Sequence, residues 1–418
     1  MHFERHALAL ARRRRDSARG IVVGGARQVG KTALLRDLAR DGGAYVTLDH
    51  NMTLRAARTD PEAFVADHVR SDSRPLFIDE FQRGGQPLLL ALKAAMDEDD
   101  RRGQFVLAGS TRFLNEPRLS ESLAGRVRFV DLWPLSQGEI LGQRERFVDA
   151  IVAGVSALRD LTGIRVERRE LWELVTRGGF PEAVLATSTR DRTEFLHDWA
   201  RTTATRDVRE VARVSDGADI SRTLDLLSAR TSSVLNHVTL AEHLGLTPQT
   251  ARRYTHLLET VYTHHELPAW SRNLTAKVTH RPKVHLIDTG LAAALLGVDA
   301  SGLSRALAPA AGPLLETFVA NEIAKQATWA EADVRLHHWR DRSGIEVDLV
   351  IEARDGRVGA VEVKSSSNVD GIDARGLRVL RDRLGDTFVA GVVLYTGATS
   401  LQLDDRILAL PVATLWAT

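Results

Sequence analysis

Residues 25–32 read GARQVGKT, which fits the pattern G-x-x-x-x-G-K-[ST] of a phosphate-binding loop in full. The apolar run at residues 21–23 predicts a buried strand before it, and the apolar period of residues 33–40 predicts a helix directly after it. Glycines let successive backbone N–H groups face one point, and a helix N-terminus adds partial positive charge there. The stretch therefore predicts a strand, a phosphate-binding loop and a helix in succession.

The loop supplies the candidate nucleotide-binding residues. They are Gly25, Ala26, Arg27, Gln28, Val29, Gly30, Lys31 and Thr32. We expect the Lys31 ammonium group to reach the β- and γ-phosphates of ATP, and the Thr32 hydroxyl to bind Mg²⁺. Only six of the 56 Lys and Arg residues are lysine, so chance alone rarely puts a lysine at this position.

Two acids end a second apolar strand within residues 75–82, which read PLFIDEFQ. We expect Asp79 to hold Mg²⁺ through its water shell, and Glu80 to polarise the water that attacks the γ-phosphate. A third strand, at residues 104–109, ends at Ser110, whose side chain can sense the γ-phosphate. The alternative interpretation of the two acids is an exposed acidic strand end.

Strands near Ile21, Val46, Phe77 and Val106 alternate with helical segments. This alternation predicts an α/β fold with a doubly wound parallel sheet, which binds nucleotide at the carboxyl edge of its strands.

These motifs resemble those of the AAA-type ATPase fold, and more narrowly those of a prokaryotic family of predicted ATPases. The resemblance spans almost the whole chain. Beyond the two motifs above, it rests on LAGSTRFL at 107–114, SLAGRVRFVDLWPLSQGE at 122–139 and GGFPEA at 178–183. It implies that an arginine completes the charge of the transition state. Arg126 and Arg112 are both candidates, and a neighbouring subunit could supply the arginine instead.

The segment at 239–258 has the pattern of a helix-turn-helix, with Thr247 capping the second helix and Pro248 at its first position. Strands at 261–267 and 283–287 would form a wing. Near the start of the second helix we expect an exposed face that includes Gln249, Thr250, Arg252 and Arg253, where such proteins contact DNA. Residues 231–290 hold only six Lys and Arg against four Asp and Glu. Contact with DNA and contact with protein therefore both remain open.

Two alternating segments, at 345–351 and 358–366, predict a hairpin that turns at residues 355 and 356. On that hairpin Asp348 and Glu362 can lie together, and Lys364 shares a face with Glu362 because side chains two apart on a strand point the same way. Two carboxylates and a lysine then converge.

This cluster resembles the PD-(D/E)XK restriction-endonuclease-like fold, with Glu316 at the place of the family's helix acid. In active members Asp348 and Glu362 would bind Mg²⁺, and Lys364 would activate water or steady the leaving charge. The usual proline before the first acid is Val347 in this chain. The alternative is a fold whose acids and lysine form a buried ion-pair network without cleavage.

The amino-acid composition excludes several classes of protein. The chain has 418 residues, a net charge of +1 and no cysteine, which excludes disulfides, Cys-ligated zinc and thiol catalysis. We find no run of eighteen apolar residues and no leader-like apolar core at the N-terminus. We therefore expect a cytoplasmic protein with no membrane partner.

We predict four domains: an AAA-type phosphate-loop ATPase domain at 1–140, a helical connector at 141–225, a winged helix at 226–298 and a nuclease-like domain at 299–418. The leading hypothesis is an ATPase with ATP and Mg²⁺ as cofactors that acts on or near DNA. The alternatives are a Mg²⁺-dependent DNA nuclease regulated by ATP, and a nucleotide-controlled switch that binds a protein partner. The sequence leaves the oligomeric state open.

Overall fold

The structure is a computed structural model. It describes residues 2–69, 75–111, 123–161, 165–212, 217–271, 281–305 and 308–418. The chain divides into two compact units. The first holds His2–Pro134 and Glu259–Tyr262, and the second holds Leu135–Leu258 and Thr263–Thr418. The first unit contains a parallel sheet with helices and the second a mixed sheet with helices, so the predicted α/β class is confirmed. The finer predicted division into four domains stays a prediction.

The first unit alternates strands with helices. Its helices are α1 (Ala7–Ser17), α2 (Lys31–Ala39), α3 (Asn51–Thr59), α4 (Pro61–Val69) and α5 (Gly85–Glu98), and a 3₁₀ turn covers Phe81–Gly84. Its strands are β1 (Gly20–Gly24), β2 (Ala44–Thr47), β3 (Leu76–Asp79), β4 (Phe105–Gly109) and β5 (Val127–Asp131).

The five strands form one parallel sheet in the order β2-β3-β4-β1-β5. Every residue of β1, β3 and β4 is buried, as in parallel sheets covered by helices on both faces. Alternate residues such as Val22, Ile78 and Leu107 face one side of the sheet and pack with Leu88 and Leu92 of α5 in a single apolar cluster. The fold therefore follows from apolar runs of strand length between amphipathic helices.

The register of the sheet brings three strand ends to the same edge. Gly24 at the end of β1 lies opposite Gly109 at the end of β4, and Asp79 at the end of β3 lies opposite Ala108. The segments that leave these ends carry the phosphate-binding loop, Glu80 and Ser110. The polar residues expected to act together thus emerge at one carboxyl edge.

The second unit begins with helices and ends with the larger sheet. Its helices are α6 (Gln137–Leu141), α7 (Phe147–Ala153), α8 (Val155–Asp160), α9 (Arg168–Arg177), α10 (Pro181–Leu185), α11 (Thr189–Thr202), α12 (Val208–Val211), α13 (Gly217–Ala229), α14 (His237–Leu244), α15 (Pro248–Thr260), α16 (Thr289–Leu296), α17 (Ala300–Leu303), α18 (Ala311–Trp329) and α19 (Arg375–Leu384). None of the described helices is long and apolar enough to cross a membrane.

The strands of the second unit form two sheets. They are β6 (Ser233–Val234), β7 (His264–Leu267), β8 (Lys283–Leu286), β9 (Val334–Arg340), β10 (Glu346–Ala353), β11 (Val358–Lys364), β12 (Phe388–Tyr395), β13 (Leu401–Asp404) and β14 (Ile407–Pro411). A small sheet has the order β6-β8-β7, and a larger one has the order β13-β14-β12-β11-β10-β9. In the larger sheet β9, β10 and β11 are antiparallel neighbours, and β12 joins β11 in parallel.

The turn and helix cap predicted for the helix-turn-helix segment are present in the second unit. The backbone N–H of Thr250 donates to the Thr247 hydroxyl at 3.2 Å, which is the predicted cap of α15. Gly245 adopts a φ of 68° where the chain turns between α14 and α15. The pattern of residues 198–211 predicts one amphipathic helix. The structure instead has a π-helical turn at Thr203–Asp207 between α11 and α12.

Candidate functional site

The phosphate-binding loop connects β1 to α2 and needs glycine at two positions, for a close backbone approach at Gly25 and for a positive φ at Gly30. A Cβ at Gly25 would lie 2.5 Å from the carbonyl oxygen of Leu132, so no larger residue fits there. Gly30 has a φ of 103°, which favours glycine, and Gln28 also lies in the left-handed region with a φ of 62°. Both glycines of the motif are therefore required by the conformation of the loop.

Lys31 begins α2 and is only 5% exposed. Its Nζ donates to the carbonyl oxygens of Gly25 at 2.9 Å and Ala26 at 2.8 Å. The ammonium group therefore lies against the inner carbonyls of the loop, in the segment predicted to surround the phosphates.

Asp79 is the buried carboxylate of the site. One of its oxygens, Oδ2, accepts from the Thr32 hydroxyl at 2.6 Å and from the Tyr45 hydroxyl at 3.0 Å. Burial, followed by the neighbouring Asp79 charge, raises the pKa of Tyr45 to about 12, so this hydroxyl keeps its proton and donates it to the carboxylate. A hydroxyl and a carboxylate oxygen within 2.6 Å of each other are the oxygen ligands that Mg²⁺ prefers, so the residues present fit that ion.

Glu80 directly follows β3 with a φ of 52°. Burial raises the pKa of Glu80, although the nearby Lys31 charge and a hydrogen bond from Gln82 act in the opposite direction. The Gln82 side-chain amide donates both to Glu80 and, at 3.4 Å, to the hydroxyl of Ser110. The structure thus brings the predicted residues Glu80 and Ser110 together through a residue that the sequence reasoning passed over.

Arg126 lies at the opposite edge of the sheet. It immediately precedes β5, and its guanidinium group donates to both carboxylate oxygens of Asp97 at 2.6 and 2.8 Å. Since β1 and β5 run in parallel with Gly20 opposite Val127, Arg126 is at the amino edge while the phosphate-binding loop is at the carboxyl edge. The structure does not bring Arg126 to the loop of its own chain. The other candidate, Arg112, is outside the described residues.

The second candidate site lies in the larger sheet. Asp348 on β10 and Glu362 on β11 are on adjacent antiparallel strands, and the backbone N–H of Val363 donates to Asp348 at 3.0 Å. Lys364 donates to Glu362 at 2.8 Å, as their shared strand face predicted. The predicted acids and lysine therefore do converge.

A second lysine, which the sequence reasoning did not single out, enters this cluster from β8. The Nζ of Lys283 donates to Glu316 on α18 at 2.7 Å and to Asp348 at 3.0 Å, and Lys283 is only 4% exposed. In the sequence, only the rarity of lysine in this chain sets Lys283 apart. We call Lys283, Glu316, Asp348, Glu362 and Lys364 the acid–lysine cluster.

The acid–lysine cluster holds three carboxyl groups against two ammonium groups. Burial, followed by the charge of Asp348, raises the pKa values of Glu316 and Glu362 to about 8. Lys283 is held charged, because the two acids it bonds outweigh the effect of burial and raise its pKa. One Glu362 oxygen, Oε2, is buried without a hydrogen-bond partner. Across the described part of the chain, no group of three or more His, Asp and Glu side chains has an arrangement suited to a metal ion.

On the predicted DNA-contact face of α15, the side chains of Gln249, Arg252 and Arg253 are exposed, while Thr250 is half-buried. The exposed side chains therefore lie near the start of α15, where the sequence predicted an exposed face.

Three family models match separate parts of the chain. Residues 17–141 match an AAA domain, residues 168–302 match a domain of unknown function, DUF8612, and residues 311–415 match another domain of unknown function, DUF4143. The AAA domain match covers the phosphate-binding loop and all five strands of the parallel sheet.

Two relatives come from mycobacteria. An uncharacterized protein of Mycobacterium bovis and one of Mycobacterium tuberculosis are each 28% identical over 415 residues, which is 99% of this chain and 85% of each relative. Among solved structures, the Walker-type ATPase PABY2304 of Pyrococcus abyssi is 16% identical, with 71% of this chain and 96% of that chain covered and a TM-score of 0.43. A single-residue variant of RuvB from Thermotoga maritima is 17% identical, with 63% and 86% covered and a TM-score of 0.28.

The contacts in the acid–lysine cluster predict that replacing Lys283 destabilises the protein more than replacing Lys364. Lys283→Met removes a buried charge that bonds two carboxyl groups, so we expect the free energy of unfolding to fall by about 3 kcal/mol or more. Lys364→Met is the matched control, because Lys364 bonds one carboxyl group and its side chain is 31% exposed. Thermal unfolding of both variants measures the difference. A loss for Lys364→Met equal to or larger than that for Lys283→Met would contradict the assigned role of Lys283.

Proposed function

We propose that the N-terminal unit binds ATP together with Mg²⁺ and hydrolyses it. The observation that carries this proposal is the meeting of Thr32, Asp79 and Glu80 at the edge of the sheet where the phosphate-binding loop begins. A loop of this kind binds phosphates of many nucleotides, but the hydrogen-bonded pair of the Thr32 hydroxyl and the Asp79 carboxylate, followed by a second acid, adds the means to hold a cation and activate water.

Binding uses the backbone of the loop and the Lys31 ammonium group. The N–H groups of the loop and of the first turn of α2 receive the phosphate oxygens. Lys31 exchanges its bonds to the carbonyl oxygens of Gly25 and Ala26 for bonds to the β- and γ-phosphates. Thr32 and Asp79 would hold Mg²⁺, which would supply positive charge to neutralise the nucleotide phosphates.

Glu80 accepts a proton from the attacking water. Its raised pKa makes the ionised carboxylate a stronger base than an ordinary glutamate. Gln82 orients that carboxylate and links it to Ser110, so the hydroxyl of Ser110 is tied to the position of the base. A change at the γ-phosphate would thereby reach the end of β4.

Arg126 acts on the nucleotide of a neighbouring copy in this proposal. Within one chain it is separated from the loop by the length of β5, which is about 16 Å for five residues at about 3.3 Å each. Its guanidinium group is held at the surface by Asp97, where another copy can be approached. An arginine supplied in trans stabilises the charge that develops during phosphoryl transfer.

Features of the second unit support the proposal that the protein acts on or near DNA. The exposed Gln249, Arg252 and Arg253 supply hydrogen-bond donors and positive charge at the start of α15. The proposed restriction-endonuclease-like fold of the C-terminal region is supported by the order of its elements, α18, β9, β10, β11, α19 and β12.

Catalytic cleavage is the less favoured alternative. Lys283 bonds Asp348, one of the two acids expected to bind Mg²⁺, as well as Glu316, so its ammonium group already neutralises a carboxylate that a metal ion would need. We therefore propose that the nuclease-like fold works as a binding module and not as a nuclease. A nucleotide-controlled switch that binds a protein is the remaining alternative, and the experiment below separates the three.

The proposed chemistry predicts that Glu80→Gln retains ATP binding but lowers ATP turnover by about 10²-fold or more, because the variant lacks the base. Lys31→Ala loses binding, and chelation of Mg²⁺ stops turnover by the wild type. Turnover is measured by phosphate release, with and without duplex and single-stranded DNA, and DNA integrity is checked in the same tubes.

Glu98→Gln is the matched control, since Glu98 is an exposed acid at the end of α5 and is expected to leave turnover unchanged. Turnover that survives in Glu80→Gln at the wild-type rate would refute the assigned base. Stimulation by intact DNA supports the proposed function. Cut DNA would favour the nuclease, and turnover indifferent to DNA would favour the protein-binding switch.

The proposed role of Arg126 predicts that Arg126→Ala lowers turnover by about 10³-fold, while Arg128→Ala, a change of the exposed arginine two residues later, has little effect. Mixing Arg126→Ala with Glu80→Gln should restore part of the activity, because some sites then pair an intact base with an intact arginine from another copy. No recovery on mixing would exclude action in trans.

A further inference from the structure

Arg5 is a buried arginine that lies before α1 and upstream of the stretch matched by the AAA domain model at 17–141. It is only 6% exposed. Its Nη1 donates to the carbonyl oxygen of Val29 at 2.8 Å, and its Nη2 donates to the carbonyl oxygen of Trp133 at 2.6 Å. One guanidinium group therefore joins the phosphate-binding loop to the segment that follows β5.

The bond to Val29 fixes the orientation of one peptide group in the loop. The carbonyl of Val29 and the N–H of Gly30 belong to the same planar trans peptide, so they point in opposite directions. When Arg5 holds the carbonyl on one side, the N–H of Gly30 is turned to the other side. Hydrogen bonds from a charged donor are stronger than those from a neutral donor. The bond from Arg5 therefore helps to hold this peptide in place between Gln28 and Gly30, which both have positive φ.

Gly30 leaves room for this contact. A Cβ at Gly30 would lie 3.2 Å from Nη1 of Arg5, which is tighter than ordinary van der Waals contact. The second glycine of the motif thus serves both the positive φ of the loop and the approach of the guanidinium group.

The bond to Trp133 ties the same arginine to the base of the loop. The N–H of Leu132 donates to the carbonyl oxygen of Gly24 at 2.7 Å, and the Leu132 carbonyl lies against Gly25. Residues 132 and 133 therefore border the start of the loop, while Val29 is near its end. Arg5 bonds both ends of this arrangement, which limits how far the loop can relax.

We propose that Arg5 is a positioning residue of the ATP site, which holds the peptide between Val29 and Gly30 so that the Gly30 N–H faces the nucleotide phosphates. This inference rests on the proposed ATPase function. The arginine acts through the backbone of the loop and does not itself touch the nucleotide.

The test compares Arg5→Met and Arg5→Lys with Arg12→Met in the full chain. Arg12 is an exposed arginine on α1 that pairs with Asp41, so it controls for loss of an N-terminal arginine. We expect Arg5→Met to raise the KM for ATP by about 10- to 100-fold, the loss of a charged hydrogen bond, with a smaller change in kcat. Arg5→Lys, which keeps one charged donor, should be intermediate. Arg12→Met should match the wild type.

The KM and kcat values separate positioning from a general loss of stability, and Tm is measured for each variant. Arg5→Met with a wild-type KM overturns the inference. If Arg5→Met does not fold, Arg5→Lys decides: a KM raised about threefold or more at a near-wild-type Tm supports the inference, and a wild-type KM overturns it. Failure of the wild type to bind ATP would instead refute the proposed function itself.

Discussion

The parallel register of β3, β4 and β1 is the constraint on which the proposed nucleotide site depends. It aligns the ends of the three strands, so that Asp79, Glu80 and Ser110 reach the same edge as the phosphate-binding loop. Burial on both faces of these strands makes the register costly to change, since a slip of one residue would exchange the apolar contacts of the two faces. Strand pairing therefore brings the residues of the proposed site to one edge.

Lysine has a distinct use in this arginine-rich chain. Lys31 bonds two carbonyl oxygens of the loop, Lys283 bonds two acids, and Lys325 bonds Glu322 at 2.7 Å and the Leu135 carbonyl at 2.9 Å. All three are buried. A compact ammonium group can direct its three donors at converging oxygens, whereas the planar guanidinium group of arginine suits paired acceptors such as the Asp97 carboxylate beside Arg126.

Features encoded within one segment could be predicted from the sequence, and those assembled from distant segments could not. The phosphate-binding loop is contiguous, and the alternation of two paired strands brings Asp348 and Glu362 together. Arg5, Tyr45 and Lys283 instead reach their partners from other parts of the chain, and their spacing carries no signal of the contact. Arg126 lies at the amino edge because it precedes the parallel strand β5, which is not among the strands predicted from the sequence.

The placement of Arg126 and the phosphate-binding loop at opposite edges has a geometric consequence for assembly, given the proposed action of Arg126 in trans. A copy that offers its amino edge to one neighbour leaves its carboxyl edge for another, so the contact is head-to-tail. Repetition of such a contact either closes into a ring or continues as an open helical filament, depending on the rotation between successive copies. In both cases the number of complete sites is set by how many copies are joined, and an isolated chain has none.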